Sequence, residues 1–303
     1  MNEKGKAVLL VLLGGASYGV LSTMVKLGYR DGFTVGEITG GQAAAGCLIM
    51  WLLRLIIRDR AEIGWATRWK LIGSGVFTGL TGVVYYYSLQ MLDASLAVLL
   101  LFQFVWMGMA VEWAVHGRRP GRIQWITVAM VLAGTLLASG IAEHSPVSVR
   151  LTGVGLGLLA AVCYTAFMYF SGHVAVNVPA VQRSSWMLTG GAAAVLLIYP
   201  PQFLWNGSLG HGLWLWALLL SVFGYIIPPY LFAKGAPRIG TGAVAMLGSV
   251  ELPVVIACSG LFLHEKTSLL QWLGIVVILA GVSANELVHR VQKKDSQTKG
   301  TAA

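Results

Sequence analysis

The chain has 303 residues, of which 56% are hydrophobic and only 11% are charged. A soluble globular protein has about 25% charged residues, so this composition excludes that class and indicates a polytopic membrane protein. The net charge of +9 does not indicate a nucleic-acid partner, because the basic residues lie in short loops and not on one folded surface.

The chain begins with MNEKGKAVLLVLLGGASYG, a basic and then apolar start that resembles a signal peptide. Its apolar run continues to about residue 27 without a convincing cleavage site, so we predict a retained first helix. Stretches of about 20 mostly apolar residues, the length of a spanning helix, recur along the whole chain. The ten predicted spans are 7–27, 34–57, 69–91, 94–116, 121–141, 151–172, 183–204, 212–232, 240–263 and 268–288.

Arginine and lysine residues of the loops predict the orientation of these spans. If the N-terminus is cytoplasmic, most loop cations fall on the cytoplasmic side, among them Arg54, Arg118 and Arg183. The positive-inside rule therefore places both termini in the cytoplasm, which agrees with an even number of spans. The outer side is predicted to hold only Lys26, Arg30, Arg150 and Lys266.

An internal repeat is found at a spacing of about 147 residues. RIQWITVAMVLAGTLLA (122–138) aligns with LLQWLGIVVILAGVSAN (269–285), and at a slightly smaller shift Tyr18 falls opposite Tyr164. Each repeat holds five spans, so the two halves, which we place at residues 1–143 and 144–303, must have opposite orientations. Inverted repeats are typical of secondary transporters, whose substrate site lies near the midplane between the halves.

The segment SVELPVVIACSGLFLHEKTSLLQWLGIVVILAGV (249–282) resembles the repeat signature of the drug/metabolite transporter superfamily, EamA type. In that signature Glu-x-Pro lies in the fourth helix of a repeat. The resemblance implies an all-α integral membrane fold of ten transmembrane helices in two inverted five-helix repeats. It also implies that helices one to four and six to nine line a cavity, which helices five and ten brace. The first repeat departs from the signature, since Phe104 stands where Glu251 would.

Glu251 lies near the centre of the ninth span. An acid at this depth costs roughly 2.5–3.5 kcal/mol on insertion scales, and such residues usually face a cavity or a partner. We predict a proton carrier or a counter-ion for a cationic substrate group. The alternative is a structural glutamate that is hydrogen-bonded to a neighbouring helix. Pro253 removes a backbone donor and is predicted to kink the helix and free a carbonyl near Ser249.

Further polar and aromatic residues near the middle of their spans are candidates for the cavity wall. The two glutamines should face the interior, because an unpaired amide is costly in lipid, and each bonds either a neighbouring helix or the substrate. The aromatic residues fit a pocket that is mostly apolar with a few placed polar groups. These candidates are Tyr18, Gln42, Tyr86, Gln103, Trp106 and Tyr164.

Two acids near span ends have simpler explanations. Glu112 lies six residues before Arg118 and is predicted to pair with the basic loop. Glu37 begins the second helix, where an acid is favoured at the helix N-terminus. A gate on the outer side, shared by Glu37 with Lys26 or Arg30, is the alternative.

The sequence predicts a transporter and not an enzyme. GASYG (15–19) matches a nucleophile-elbow pattern but lies inside a span, and no suitable His–acid pair accompanies it. Without a nucleotide-binding or metal motif we expect no cofactor. The resemblance implies export of small amphipathic metabolites, such as amino acids, by alternating access across a bacterial plasma (inner) membrane. The alternative is proton-coupled efflux of hydrophobic cations. The expected partners are a small-molecule substrate, the lipid bilayer and protons as a candidate coupling ion, for a monomer or homodimer.

Overall fold

The computed structural model describes residues 3–57, 61–92, 94–117, 119–138, 150–262 and 268–282. Over these ranges the chain is helical and contains no strand, which confirms the predicted all-α fold. Two of the helices, α4 and α9, have two parts each. In the described chain the helices are α1 (Glu3–Arg30), α2 (Val35–Ile56), α3 (Trp65–Met91), α4a and α4b (Ala94–Leu101 and Phe104–His116), α5 (Arg122–Ala138), α6 (Leu151–His173), α7 (Ala180–Ile198), α8 (Leu209–Arg238), α9a and α9b (Thr241–Gly248 and Glu251–Phe262) and α10 (Leu269–Val282).

Most of these helices are membrane-spanning by length and composition. Among the described residues, six helices are long and apolar enough to cross a bilayer: α1, α2, α6, α8, Ala97–His116 and Thr241–Phe262. The helices α5 and α10 are apolar but shorter, and α3 and α7 have 27 and 19 residues. The chain is therefore a multi-pass membrane protein.

The two halves pack against each other through equivalent sets of helices. The first helix of each half, α1 or α6, packs against the third and fourth helices of the other half. Likewise α2 contacts α7 and α8, while α7 contacts α2 and α3. Exchanging the halves maps each of these contacts onto another one. This is the arrangement expected of two inverted repeats.

The helices α5 and α10 are equivalent helices of the two halves, and they contact each other symmetrically. A side chain at Gly134 would meet the Gly274 carbonyl, and one at Gly281 would meet the Thr127 carbonyl. At the repeat spacing, Gly134 corresponds to Gly281 and Thr127 to Gly274. The interface therefore maps onto itself when the halves are exchanged. Small residues at both crossings let the backbones approach closely.

Glycines also bring α3 of the first half against α7 of the second. A Cβ atom at Gly75 would overlap the backbone of Met187, and one at Gly79 would overlap the Gly191 carbonyl. Any side chain at these two positions would push the helices apart. This close crossing is one of the contacts that join the halves beside the cavity described below.

Helix α4 loses its regular hydrogen-bond pattern at mid-length. The N–H groups of Gln103 and Val105 donate to the carbonyls of Leu100 and Phe102, which lie three residues back and not four (3.2 Å each). A tight turn therefore separates α4a from α4b. Such discontinuous helices at corresponding places in two repeats are typical of transporter substrate sites.

Helix α9 has the same break one repeat later. The N–H groups of Val250 and Leu252 donate to the carbonyls of Leu247 and Ser249, again three residues back (3.3 Å each). These four residues follow their counterparts in α4 by 147 positions. Pro253 lies in the first turn of α9b, just after the break. Its predicted kink therefore coincides with a break that both halves contain.

The structure corrects the sequence analysis at the seventh span. The helix begins at Ala180 and ends at Ile198, ahead of Pro200 and Pro201, which lack N–H donors for a further turn. Arg183 is consequently a helix residue that is 1% exposed, and not a loop cation. Its guanidinium donates to the carbonyls of Ser171 and Ala233 near the ends of α6 and α8. Arg118, Lys266, and the predicted span ends 139–141, 263 and 283–288 lie outside the described residues.

Candidate functional site

A cavity of about 120 Å³ lies between the two halves. A single buried water needs only about 10–15 Å³ by the same kind of measure, so the cavity can hold several waters or a small solute. Helices α1 to α4 contribute its wall from the first half, and α6, α8 and α9 from the second. The described lining residues are Tyr18, Leu21, Thr39, Gln42, Thr78, Thr81, Gly82, Tyr85, Tyr86, Leu101, Tyr164, Phe167, Gly224, Tyr225 and Glu251.

Five of the seven residues proposed from the sequence as substrate or coupling residues line this cavity. They come from five helices, α1, α2, α3, α6 and α9, and therefore from both halves. Gln103 and Trp106 do not line it. The five lining residues are Tyr18, Gln42, Tyr86, Tyr164 and Glu251.

Gln103 and Trp106 are hydrogen-bonded to each other and do not line the cavity. The Gln103 amide donates to the Leu99 carbonyl (3.0 Å) and accepts from the Trp106 indole (2.9 Å). Trp106 is 39% exposed. The two residues were predicted as candidates for the cavity wall, but the Gln103 amide is satisfied within its own helix, and neither side chain is among the described lining residues. The three-residue spacing of the pair is a signal of such a local contact.

Glu251 is the first residue of α9b, immediately after the break. It is partly exposed to the cavity, and the Tyr164 hydroxyl approaches its carboxyl group without forming a hydrogen bond of regular geometry. Gly19 of α1 lies against the Glu251 carbonyl, where a Cβ atom would come within 2.6 Å. The missing side chain of Gly19 thus lets α1 and α9 hold the carboxyl beside the cavity.

The cavity has an unusual balance of charge and hydrogen-bonding groups. Glu251 is the only acid among the described lining residues, and no lysine, arginine or histidine is among them. The hydroxyl groups of Thr39, Thr78 and Tyr164 are buried and have no hydrogen-bond partner within the described chain. Buried polar groups are normally paired with protein or water. These hydroxyls therefore leave hydrogen-bonding capacity for a ligand or solvent.

Aromatic rings make up much of the wall around Glu251. The rings of Tyr18 and Tyr164 meet edge to face with centroids 5.9 Å apart. The Tyr164 ring also meets Phe104 edge to face, with centroids 4.8 Å apart. Tyr164 therefore contacts both Glu251 and Phe104, the residue that occupies the equivalent position in the first half.

Helix α8 is irregular where it passes the cavity. It forms a wide π-helical turn over Ser221–Ile226, just before two consecutive prolines that lack N–H donors, Pro228 and Pro229. Gly224 in this turn lies against the Gln42 amide, and any larger side chain would overlap that amide. Wide turns of this kind are frequent at functional sites.

The threonines of the wall were not predicted from the sequence. Thr78, Thr81 and Tyr85 follow one another at spacings of three and four on α3, so they share one helix face. A threonine hydroxyl can bond its own helix, as Thr81 does to the Phe77 carbonyl (2.7 Å). A threonine in a span therefore leaves no unpaired polar group in lipid, and the sequence does not predict that it faces the interior. The shared spacing with Tyr85 is the signal that was available.

The two acids near span ends lie outside this cavity. Glu37 lies at the start of α2 as predicted and forms a capping box with Thr34, and its carboxyl also accepts hydrogen bonds from Asn206 (2.6 Å) and Ser208 of the second half. Glu112 accepts from the Thr241 N–H (2.9 Å) at the start of α9a. Each acid therefore joins one half to the other at an end of the helices.

The profile of the EamA-like transporter family matches residues 5–140 and 151–285, which is most of the chain in two consecutive blocks. The chain belongs to the EamA-like transporter family. It is thus a membrane transporter, and the resemblance noted in the sequence is confirmed.

Curated relatives of this EamA-family chain carry transporter names as well. It is 22% identical over 299 residues to the uncharacterized transporter YcbK of Bacillus subtilis (strain 168), covering 95% of this chain and 96% of that protein. An uncharacterized transporter of Archaeoglobus fulgidus is 27% identical over 217 residues, covering 70% of this chain and 74% of its own. A solved structure titled "Crystal structure of protein" superposes with a TM-score of 0.77 over 95% of this chain and 99% of that one. At 16% identity this likeness shows the shared fold.

Proposed function

We propose that this EamA-family transporter exports a small amphipathic metabolite that carries an amino group, such as an amino acid. The substrate binds in the cavity between the halves and crosses by alternating access. We further propose a plasma-membrane location with both termini in the cytoplasm, from the distribution of loop cations.

The observation that carries the proposal is the single carboxyl of Glu251 in a cavity without a described cationic wall residue. A substrate ammonium group pairs with a carboxylate through strong charge-assisted hydrogen bonds. The faces of Tyr18 and Tyr164 add cation–π attraction. The unpaired hydroxyls of Thr39 and Thr78 can donate to carboxylate or carbonyl oxygens at the other end of the substrate.

Alternating access is supported by contacts that join the halves at the ends of the helices. At the end opposite the N-terminus, Glu37 bonds Asn206 and Ser208, and the Trp216 indole donates to Asp31 (3.0 Å). All of these bonds connect the first half to the second. Rocking of the halves would break them and admit solvent from that side, so they are the proposed outer gate.

A second candidate is proton-coupled efflux of hydrophobic cations. The specific observation in its favour is that no described cation of the wall is available to bind a substrate carboxylate. A cation without a carboxylate would then fit the aromatic cavity equally well. Glu251 would bind either a proton or the substrate, so that one is exchanged for the other.

Transport by the purified full-length chain in proteoliposomes separates these two candidates. We would test amino acids and hydrophobic cations, with and without a pH gradient, for wild type and Glu251→Gln, with the exposed loop acid Glu62→Gln as control. Both proposals expect the Glu251 variant to lose transport of its substrate and the Glu62 variant to keep it. Normal transport by Glu251→Gln would overturn both.

The substrate panel then decides between the candidates. Transport of amino acids without dependence on the pH gradient supports the first candidate. Gradient-driven transport of hydrophobic cations alone supports the second.

A further inference from the structure

Tryptophan and arginine side chains form a compact group where α2 ends and α3 begins, beside α7. We call it the Trp–Arg cluster: Trp51, Arg54, Trp65, Arg68 and Trp186. The Arg54 guanidinium lies 4.5 Å from the centre of the Trp51 ring and 5.4 Å from that of Trp186. The Arg68 guanidinium lies 5.7 Å from Trp65 and 5.6 Å from Trp186. Two positive charges thus share the Trp186 ring.

The cluster is held in place by hydrogen bonds between the two halves. The Trp51 indole donates to the Thr189 hydroxyl of α7 (2.9 Å). The Gln182 side chain of α7 makes two bonds to the backbone of Ala61 in the connection between α2 and α3 (2.9 Å each). The arginines therefore project from a fixed scaffold that includes parts of both halves.

Two hydrogen-bond donors of the cluster are buried and unused. Neither the Arg68 Nε nor the Trp186 Nε1 has a hydrogen-bond partner within the described residues. Contact with a ring face stabilises a guanidinium but does not accept its N–H bonds. A buried donor left unsatisfied is costly, so this geometry calls for an acceptor that the described chain does not supply.

The surroundings of the cluster are those of a membrane surface. Ile56 at the end of α2 is 74% exposed and Trp65 at the start of α3 is 65% exposed, with Leu55 and Trp69 also exposed. Exposed tryptophans at the end of a span are typical of the headgroup layer. Between residues 61 and 70, the exposed charged residues are Glu62 and Lys70. The cluster therefore places two cations where lipid headgroups lie.

We propose that the Trp–Arg cluster binds the phosphate group of an anionic phospholipid. The planar guanidinium matches two phosphate oxygens with paired N–H groups. The acyl chains lie along the exposed side chains of Leu55 and Ile56. These apolar neighbours favour a lipid over a soluble phosphate, which would leave them uncovered.

Native mass spectrometry of the purified full-length protein tests this assignment. Phosphatidylglycerol and phosphatidylcholine with the same acyl chains compete for binding to wild type, to Arg54→Gln/Arg68→Gln and to Lys70→Gln. We expect wild type and Lys70→Gln to prefer phosphatidylglycerol, and the double variant to lose about fivefold of that preference for each arginine removed. A double variant with the wild-type preference overturns the proposal, as does an equal loss in Lys70→Gln.

A charge-conserving variant and a soluble phosphate complete the test. Arg54→Lys/Arg68→Lys keeps both charges but lacks the planar fork, so its preference should fall; an unchanged preference would reduce the effect to general attraction and sink the proposal. This variant also decides the question should the glutamine variant fail to fold. Inorganic phosphate should not raise the unfolding temperature. A rise equal to that with phosphatidylglycerol would assign the site to a free phosphate instead.

Discussion

Helices α4 and α9 occupy equivalent places in the two halves, and both break at mid-length with the same hydrogen-bond pattern. The residues that follow the two breaks differ in chemical type. In α4 it is Phe104, which is fully buried and packs against Tyr164; in α9 it is Glu251, which faces the cavity. The comparison teaches that the backbone break belongs to the repeat, whereas the acid belongs to one half.

The position two residues later sharpens the comparison. Pro253 in α9 corresponds to Trp106 in α4, so α4 breaks without a proline. The break consists of N–H groups that bond the carbonyl three residues back. It therefore forms without a proline. Substitutions at the two paired positions, and at Tyr164 between the halves, can separate packing from chemistry.

The largest expected effect is on stability, at Phe104. Phe104→Ala removes a fully buried ring and should lower the free energy of unfolding by about 3–5 kcal/mol. Unfolding of the detergent-solubilised protein by heat or SDS measures this loss. Trp106→Ala, two residues along and outward-facing, is the matched control and should lose less than half as much. Equal losses would contradict the assignment of Phe104 to packing.

Glu251→Phe makes the second half resemble the first. We expect transport to fall by about 100-fold, since removing one member of a close charge pair costs about 2–5 kcal/mol. The protein should still fold, because an aromatic ring suits the tyrosine-rich cavity. Initial rates in proteoliposomes and the unfolding temperature measure the two properties. A folded variant with wild-type rates would mean that the acid has no part in transport.

Tyr164→Phe removes the hydroxyl that approaches Glu251. Because this hydroxyl has no regular partner in the described structure, stability should change by less than about 0.5 kcal/mol. Substrate affinity should fall about fivefold, the value of one hydrogen bond of about 1 kcal/mol. Binding and unfolding are measured on the same preparation, with Tyr169→Phe on the same helix as control. A loss of stability without a loss of affinity would show a structural hydroxyl.

The smallest effect is expected for Pro253→Ala. Since α4 breaks without proline, the break in α9 should persist, and stability should change by less than about 1 kcal/mol. Hydrogen exchange of the amides around Ser249 reports on the break directly. Strong new protection there, together with lost transport, would show that proline makes the break.

Some residues of the site could be predicted from the sequence, because a polar side chain is energetically costly when it faces lipid. Glu251 and Gln42 are polar residues deep in apolar spans, so they had to face the interior, and both line the cavity. The same reasoning does not bring Gln103 to the described cavity wall, because its amide bonds Leu99 and Trp106 of the same helix. This reasoning does not predict Thr39 or Thr78. A threonine hydroxyl can bond its own helix, so its presence in a span does not indicate which way the side chain faces.

By itself the sequence determined the membrane class, the order and approximate bounds of the spans, and the two inverted halves. These follow from apolar length, loop charge and repeat spacing, which are properties of segments and need no knowledge of contacts. Only the tertiary structure decided which helix faces meet in the cavity, that α4 breaks as α9 does, and that Phe104 and Glu251 both contact Tyr164. These depend on the rotation and close approach of helices from opposite halves. In an apolar chain nearly every helix face is hydrophobic, so the pattern of one helix does not reveal which face packs inward.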